Sequence, residues 1–487
     1  MSLRRVRLAG ASREGASPAG ASREGVGLGA QFDRIREELD VPAAFPAEIL
    51  DRAEWAAAHP DLPANDLTGV PFFTIDPAGS TDLDQAMHLG RDGAGYRVRY
   101  AIADLPAVVT PGDAVDQESW RRGQTVYAPD RRTPLHPPRL SEDAASLLPG
   151  VTRAAYVWDL RLDADGAVTG AGVQRGLVRS TDRLAYDQVQ AALDGGSDDE
   201  RYVLLREIGL RRVEQERARG GASLPLPEQD VVAAPDGSYR LEFRPPVPAE
   251  EWNAQISLMT GIEAARLMLE AGVGILRTMP PPEENAVRRL QRQARGLDVP
   301  WPTELSYGEL LRSLDRSDPR HLALVHEATA LFRGAGYTPF DGAAPQQPLH
   351  AAVAAAYAHV TAPLRRLVDR FGLAVCEAVC RDGAVPAWAR EALPRLPEVM
   401  QRSDAKAAAV ERACTDAVEA AVLQHRLGEV FEATVVDVRR DDLLVQVAEP
   451  AVLAVARGHA EAGERVRARL ATADVAARTV RFEIVER

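Results

Sequence analysis

The sequence predicts a multidomain α+β protein, and three observations support this fold class. Period-two apolar patterns, which are typical of strands, run over 96–103 and 155–162 and are followed by a turn at Asp165-Gly166. Helical periodicity then dominates the stretches 204–219, 250–270 and 351–379. Alternating strand patterns return between 428 and 484, where they predict a separate small β-barrel.

The first part of the chain divides into two segments of different composition. Residues 1–30 are rich in Gly, Ala, Ser and Arg and repeat the motif G-A-S-R-E-G, so we expect a disordered tail. Residues 31–65 form a predicted helical N-terminal region, because Phe32, Ile35 and Leu39 keep helical spacing.

Composition limits the classes of protein to consider. The chain of 487 residues contains no run of about 18 uncharged apolar residues, so we expect no membrane-spanning helix. Its three cysteines lack metal-binding spacing, which indicates a reducing cytoplasm without disulfides. The net charge of −13 argues against a nucleic-acid partner, although nearly all the positive charge is arginine, which suits bidentate phosphate contacts. Biased genome composition would explain the same arginine excess.

Three carboxylates are predicted to meet at one loop. Asp76 follows a short apolar strand at 72–75, and Asp82 and Asp84 begin a second strand in which Leu83 turns the other way. Neighbouring carboxylates repel one another unless a cation neutralises them. Hard oxygen ligands of this kind suit Mg²⁺ or Mn²⁺. A metal site that cleaves phosphodiesters is one interpretation, and a solvated acidic turn is the other.

The segment T-I-D-P-A-G-S-T-D-L-D-Q-A at 74–86 closely resembles the signature of the ribonuclease II (RNB) family. Further blocks follow in the order of that family: A-I-A-D-L at 101–105, T-P-G-D-A-V-D at 110–116, R-R-G-Q-T-V-Y-A-P at 121–129, P-P-R-L-S at 137–141, D-R-L-A-Y at 182–186 and T-A-P-L-R-R at 361–366. The resemblance implies a mixed α/β catalytic domain with a deep RNA channel at 66–400, a connecting helix at 401–425 and an S1-type OB-fold barrel at 426–487. Too few residues precede Phe72 for a cold-shock barrel, so the chain resembles a short form that lacks the N-terminal cold-shock domains.

The resemblance also implies an activity and its residues. The expected protein is a cytoplasmic, monomeric, hydrolytic 3′→5′ exoribonuclease that uses Mg²⁺, or Mn²⁺, and releases nucleoside 5′-monophosphates from single-stranded RNA with a free 3′ end. The metal ligands are expected to be Asp76, Asp82, Asp84 and Gln85, and Arg365 is expected to act with Asp82 and Asp84 in catalysis. The residues expected to contact RNA are Tyr127, Tyr186, Arg366 and Phe431.

Two departures from the family pattern keep a second function open. Gln85 stands where the family usually has a second adjacent aspartate, and a glutamine brings no negative charge to a cation. The aromatic partner of Tyr186 is missing near Val231 and Val232. An RNA-binding regulator with a degenerate active site therefore remains the alternative.

Overall fold

The computed structural model describes residues 5–8, 23–222, 224, 228–233, 239–244, 246–302, 304–315, 318–438 and 442–486. The strands are β1 (Arg5–Leu8), β2 (Phe72–Asp76), β3 (Gln85–Asp92), β4 (Gly95–Ala103), β5 (Thr152–Leu162), β6 (Val168–Ala185), β7 (Glu228–Ala233), β8 (Tyr239–Arg244), β9 (Val273–Thr278), β10 (Gly336–Asp341), β11 (Leu349–His350), β12 (Ala355–Ala356), β13 (Val430–Val438), β14 (Leu443–Val447), β15 (Val452–Arg457), β16 (Arg465–Asp474) and β17 (Thr479–Glu486). The helices are α1 (Arg23–Glu38), α2 (Ala47–Ala58), α3 (Ala114–Arg122), α4 (Tyr186–Asp194), α5 (Glu200–Arg219), α6 (Pro248–Ala271), α7 (Glu284–Gly296), α8 (Tyr307–Ser313), α9 (Pro319–Ala328), α10 (Leu367–Cys380), α11 (Ala387–Ala392) and α12 (Leu396–Leu423). This order confirms the predicted α+β class.

The first barrel carries the acidic loop. Its strands close in the order β2-β3-β4-β5-β6, with β2 parallel to β6 and the other neighbours antiparallel. Tyr100 of β4 lies opposite Met87 on one side and Trp158 on the other, and all three side chains are at most 1% exposed. Buried cross-strand pairs of this kind stabilise the sheet and fix its register, which in turn fixes where β2 ends and β3 begins.

The N-terminal region is helical, as its spacing predicts, but the expected disordered tail is partly wrong. Phe32 and Ile35 of α1 are fully buried in a cluster with residues of α12. Helix α1 already begins at Arg23, and β1 pairs in parallel with β7, so part of 1–30 is ordered. The remaining residues of that segment lie outside the described residues.

The helical centre confirms two of the predicted helices and corrects a third. Helices α5 and α6 cover the predicted stretches, but 351–379 is helical only in α10. Pro363 lacks an N–H and disfavours a helical residue before it, so the chain forms a loop from there to Leu367. The preceding segment instead lies against Gly261 of α6, where a Cβ would be 2.2 Å from Cε2 of Tyr357.

The second barrel closes the C-terminal part of the chain. Its strands run in the order β13-β14-β15-β17-β16, and α12 leads into it from Leu396. Leu322 of α9 packs against Val436, Leu444 and Leu453 on the outside of this barrel. Among the described helices, none combines the length and the apolar character that a membrane crossing needs. The three cysteines are free thiols.

Candidate active site

The loop between β2 and β3 is held by hydrogen bonds to a neighbouring segment. The N–H of Leu83 donates to Oγ of Ser146 at 2.9 Å, and this hydroxyl donates to the carbonyl of Thr81 at 2.7 Å. The side chain of Leu83 is fully buried. Asp82 and Asp84 therefore face the other way, which confirms the alternation predicted from the sequence.

Both aspartates open onto a cavity of about 880 Å³. The predicted site residues that line it are Asp76, Asp82, Asp84, Gln85, Tyr127, Tyr186, Arg365 and Arg366. These residues come from segments almost 300 positions apart in the sequence, so the cavity exists only in the folded chain.

Asp84 is the most buried of the three aspartates. Its Oδ1 accepts a hydrogen bond from the N–H of Leu364 at 2.7 Å, and its Oδ2 lies 3.4 Å from Nε of Arg365. Burial raises the pKa of Asp84 to about 8, although Arg365 and the Leu364 amide favour its ionised form. Burial likewise raises the pKa of Asp76 to about 7, again against the pull of Arg365.

Asp82 is held by a residue that the sequence analysis missed. Nη1 of Arg132 lies 2.5 Å from Oδ1 of Asp82, and Nη2 of Arg132 contacts Glu142 at 2.8 Å and the hydroxyl of Thr81 at 2.7 Å. Arg132 lies in a turn closed by two hydrogen bonds between Val126 and Thr133. It stands five residues after Tyr127 in the sequence, and no spacing signal there connects it to the acidic loop.

The two arginines of the loop before α10 have different surroundings. Arg366 donates to both oxygens of Asp369, at 2.5 and 2.8 Å. Arg365 keeps 49% of its side chain exposed, lines the cavity and contacts Asp84 through Nε. Asp369 therefore orients Arg366 rather than Arg365, and Arg365 is the guanidinium that is available to a bound phosphate.

Gln85 lines the cavity with both ends of its amide engaged. Its Nε2 donates to the carbonyl of Thr361 at 2.6 Å, and its Oε1 accepts from the hydroxyl of Tyr100. The hydroxyl of Thr361 is in turn 2.7 Å from that of Ser257. Gln85 thus connects β3 to the loop that carries Arg365, a role that its position in the sequence does not indicate.

The aromatic predictions divide into two groups. Tyr127 and Tyr186 line the cavity, and the hydroxyl of Tyr186 accepts a hydrogen bond from Nδ2 of Asn253 at 2.8 Å. Phe431 does not line the cavity. The residue is only 5% exposed, and its ring lies inside the second barrel, 5.7 Å from the ring of Phe482, so the predicted stacking on RNA is wrong. Alternation along β13 turns it inward, and Arg426 covers its face.

The donor atoms at the cavity fit a hard cation. Oδ2 of Asp76 is buried and has no hydrogen-bond partner among the described residues, so it is an available oxygen ligand beside Asp82 and Asp84. In the described part of the chain, however, no three His, Cys, Asp or Glu side chains form a ready metal cluster. Asp82 is paired with Arg132 and Asp84 with Arg365 in this arrangement.

The chain thus combines a five-stranded barrel, a helical core with an acidic cavity, and a second five-stranded barrel of the OB type. The chain belongs to the RNB family, since the RNB domain matches residues 64–378. The RNase II-type exonuclease C-terminal S1 domain matches residues 429–485.

Relatives match much of this chain in sequence. The probable exosome complex exonuclease RRP44 of Caenorhabditis elegans is 29% identical over 68% of this chain and 37% of its own length. Ribonuclease R of Escherichia coli is 27% identical over 71% of this chain and 44% of its own length. The chain thus spans less than half the length of these two relatives.

Two solved structures share the fold at low sequence identity. RNase R of Mycoplasma genitalium, in complex with ribose-methylated single-stranded RNA, gives a TM-score of 0.84 at 18% identity and covers 94% of this chain and 78% of its own. Yeast Ssd1, described as a pseudonuclease, gives a TM-score of 0.69 at 16% identity and covers 91% of this chain and 58% of its own. The fold alone therefore does not decide whether this chain is catalytic.

Proposed function

We propose that this protein is a metal-dependent, hydrolytic 3′→5′ exoribonuclease that degrades single-stranded RNA to nucleoside 5′-monophosphates. One observation carries the proposal: a single cavity brings Asp76, Asp82 and Asp84 against the exposed guanidinium of Arg365. Relatives named ribonuclease R support RNA as the substrate class.

The three aspartates would hold Mg²⁺ or Mn²⁺. When bound, such an ion lowers the pKa of a coordinated water and neutralises charge on the phosphate that is attacked. The remaining chemistry belongs to the side chains of this chain. Arg365 presents its fork to the nonbridging oxygens, where negative charge grows in the transition state, and the Asp84 contact fixes the position of that fork.

Two tyrosines would position the RNA. Tyr127 and Tyr186 line the same cavity as the aspartates, and stacking on a ring is open to every base because each base has a π face. The hydrogen bond from Asn253 orients the ring of Tyr186. This arrangement suits an enzyme that accepts RNA without regard to sequence.

A second candidate function is an RNA-binding regulator without nuclease activity. It is favoured by Gln85, whose amide is engaged by Thr361 and Tyr100, and by the fold shared with the pseudonuclease Ssd1. The intact set of Asp76, Asp82, Asp84 and Arg365 favours the enzyme, because a pure binding protein has no need of buried carboxylates in its RNA cavity.

The deciding experiment is digestion of 5′-labelled single-stranded RNA with Mg²⁺, with Mn²⁺ and with EDTA. An enzyme gives a ladder of progressively shorter labelled products and free nucleoside 5′-monophosphates with Mg²⁺ or Mn²⁺, and neither product in EDTA. RNA that is bound but stays intact with both metals would establish the regulator instead. RNA that carries a blocked 3′ end serves as the control for direction.

A further inference from the structure

Arg132 places a fixed positive charge on a carboxylate of the candidate metal site. Its guanidinium contacts Oδ1 of Asp82 through Nη1 at 2.5 Å and Oε1 of Glu142 through Nη2 at 2.8 Å. Only 20% of the Arg132 side chain is exposed, and 14% of the Asp82 side chain. In this sheltered position the ion pair is screened less by water than a surface pair would be.

The backbone keeps this guanidinium in place. Val126 and Thr133 exchange two hydrogen bonds, at 2.7 and 2.9 Å, across the turn that carries Arg132. Glu142 and Thr81 hold the second nitrogen of the fork. Arg132 therefore stays beside the acidic loop even when Asp82 turns toward a bound cation.

The charges that meet at this place can be counted. Five carboxylates line the cavity, those of Asp76, Asp82, Asp84, Glu250 and Glu411, together with three guanidiniums, those of Arg132, Arg365 and Arg366. Gln85 adds no charge. Two negative charges are left when all the carboxylates are ionised, and one divalent cation balances them. A second divalent cation would leave an excess of positive charge in a sheltered cavity, which is unfavourable.

We propose that Arg132 takes the electrostatic place of a second cation, so that the free protein binds one divalent ion and Arg132 weakens its affinity by competing for Asp82. Arg132 is then a positioning residue that acts on the ion through Asp82. The inference rests on the proposed function, because it takes the three aspartates to be the metal ligands.

The experiment measures binding of Mn²⁺ alone, without RNA, to the full chain by isothermal titration calorimetry and by electron paramagnetic resonance of free Mn²⁺. The variants are Arg132→Gln, Arg132→Lys and a control, Arg139→Gln. Arg139 is a neighbouring arginine that pairs with Glu54 and Asp143 and does not line the cavity. Thermal melting of each variant verifies that it is folded.

We expect one Mn²⁺ per wild-type chain and an affinity that rises by about tenfold in Arg132→Gln, a size of effect typical of residues beside a ligand. Arg132→Lys, which keeps the charge, and Arg139→Gln should bind as the wild type does. Two ions bound to the wild type, or unchanged affinity in Arg132→Gln, would overturn the inference. So would Arg132→Lys binding as tightly as Arg132→Gln, because charge would then not be the cause.

RNA digestion on the same samples separates this inference from the proposed function. Wild type that digests RNA but binds two ions would contradict only the role of Arg132. Wild type that binds one ion, with the expected response of the variants, but leaves RNA intact would contradict only the exoribonuclease.

Discussion

Asp84 and Leu364 are 280 positions apart in the sequence and are joined by a hydrogen bond of 2.7 Å between a carboxylate oxygen and a backbone N–H. The next residue, Arg365, contacts the other oxygen of the same carboxylate. One side chain thus fixes both the acidic loop and the arginine loop. The proposed metal ligand and the proposed phosphate contact cannot move independently, so substitutions at Asp84 must be designed to keep the Leu364 bond.

Asp84→Asn meets this requirement, because an amide oxygen can still accept from the N–H of Leu364 while the negative charge is lost. We expect the rate of RNA digestion to fall by about 100-fold or more, because losing a residue that only supports a metal ligand already costs about 10–100-fold. Binding of RNA should change little. Single-turnover digestion and fluorescence anisotropy in EDTA measure the two effects.

The control for this change is Asp165→Asn, in the exposed turn between β5 and β6. It removes the same charge from the same chain, away from the cavity, and should leave the rate unaltered. Near-normal digestion by Asp84→Asn would remove Asp84 from the catalytic residues.

The acidic loop was the part of the site that local sequence could predict. The apolar residues of β2 and the inward Leu83 define a strand, a turn and a second strand, and these place Asp76, Asp82 and Asp84 by alternation alone. The structure differs in extending β2 through Asp76 and in running β3 from Gln85 to Asp92 rather than from Leu83 to Leu89. Periodicity also predicted α5 and α6, since the helical spacing of apolar residues is a local property of the sequence.

Contacts between distant segments could not be predicted from local sequence patterns. Nothing near Arg132 indicates that it meets Asp82, because the contact depends on how the turn at 126–133 packs on the barrel. The alanine-rich stretch before Pro363 has a composition typical of helices, yet it packs closely against Gly261 and is not helical. Phe431 was misassigned because alternation shows which residues share a face but not which face lies inside the barrel.

Gln85→Asp tests whether this position faces the cation. An added carboxylate in the first coordination shell should lower the Mg²⁺ concentration that gives half-maximal rate. The same change should destabilise the protein by about 1–3 kcal/mol, because aspartate cannot donate to the Thr361 carbonyl. Gln85→Asn is the matched control, since it has the size of aspartate without its charge. An identical Mg²⁺ requirement in both variants would place Gln85 outside the shell of the ion.

Tyr127 and Phe431 should respond differently to loss of their rings. Tyr127→Ala removes a ring from the cavity and should weaken binding of a short single-stranded RNA by about 1–3 kcal/mol, while Tyr127→Phe keeps most of the affinity. Phe431→Ala leaves a cavity in the core of the second barrel and should lower the free energy of unfolding by about 3–5 kcal/mol.

Anisotropy titrations in EDTA and denaturant unfolding separate the two effects. Phe431→Leu, which retains apolar volume, is the variant in which RNA affinity can be measured on a folded barrel. A large loss of RNA affinity in Phe431→Leu with unchanged stability would reinstate the stacking role.

The pKa values of Asp76 and Asp84 predict how pH acts on the metal-free protein. Burial raises the pKa of these carboxyls to about 7 and about 8, whereas an unfolded aspartate has a pKa of about 3.9. Between these values the folded chain holds more protons than the unfolded chain, so the free energy of unfolding contributed by this pair falls as pH rises from about 4 to about 8. Between pH 5 and pH 8 in EDTA, the thermal unfolding temperature should decrease more for the wild type than for the double variant Asp76→Asn/Asp84→Asn.

Because a cation binds the ionised carboxylates, Mg²⁺ binding at pH 7 should also release protons, which calorimetry detects as heats that depend on the ionisation enthalpy of the buffer. If the decrease is equal in both proteins and the heats are independent of buffer, then these two carboxyls already lack their protons at pH 7.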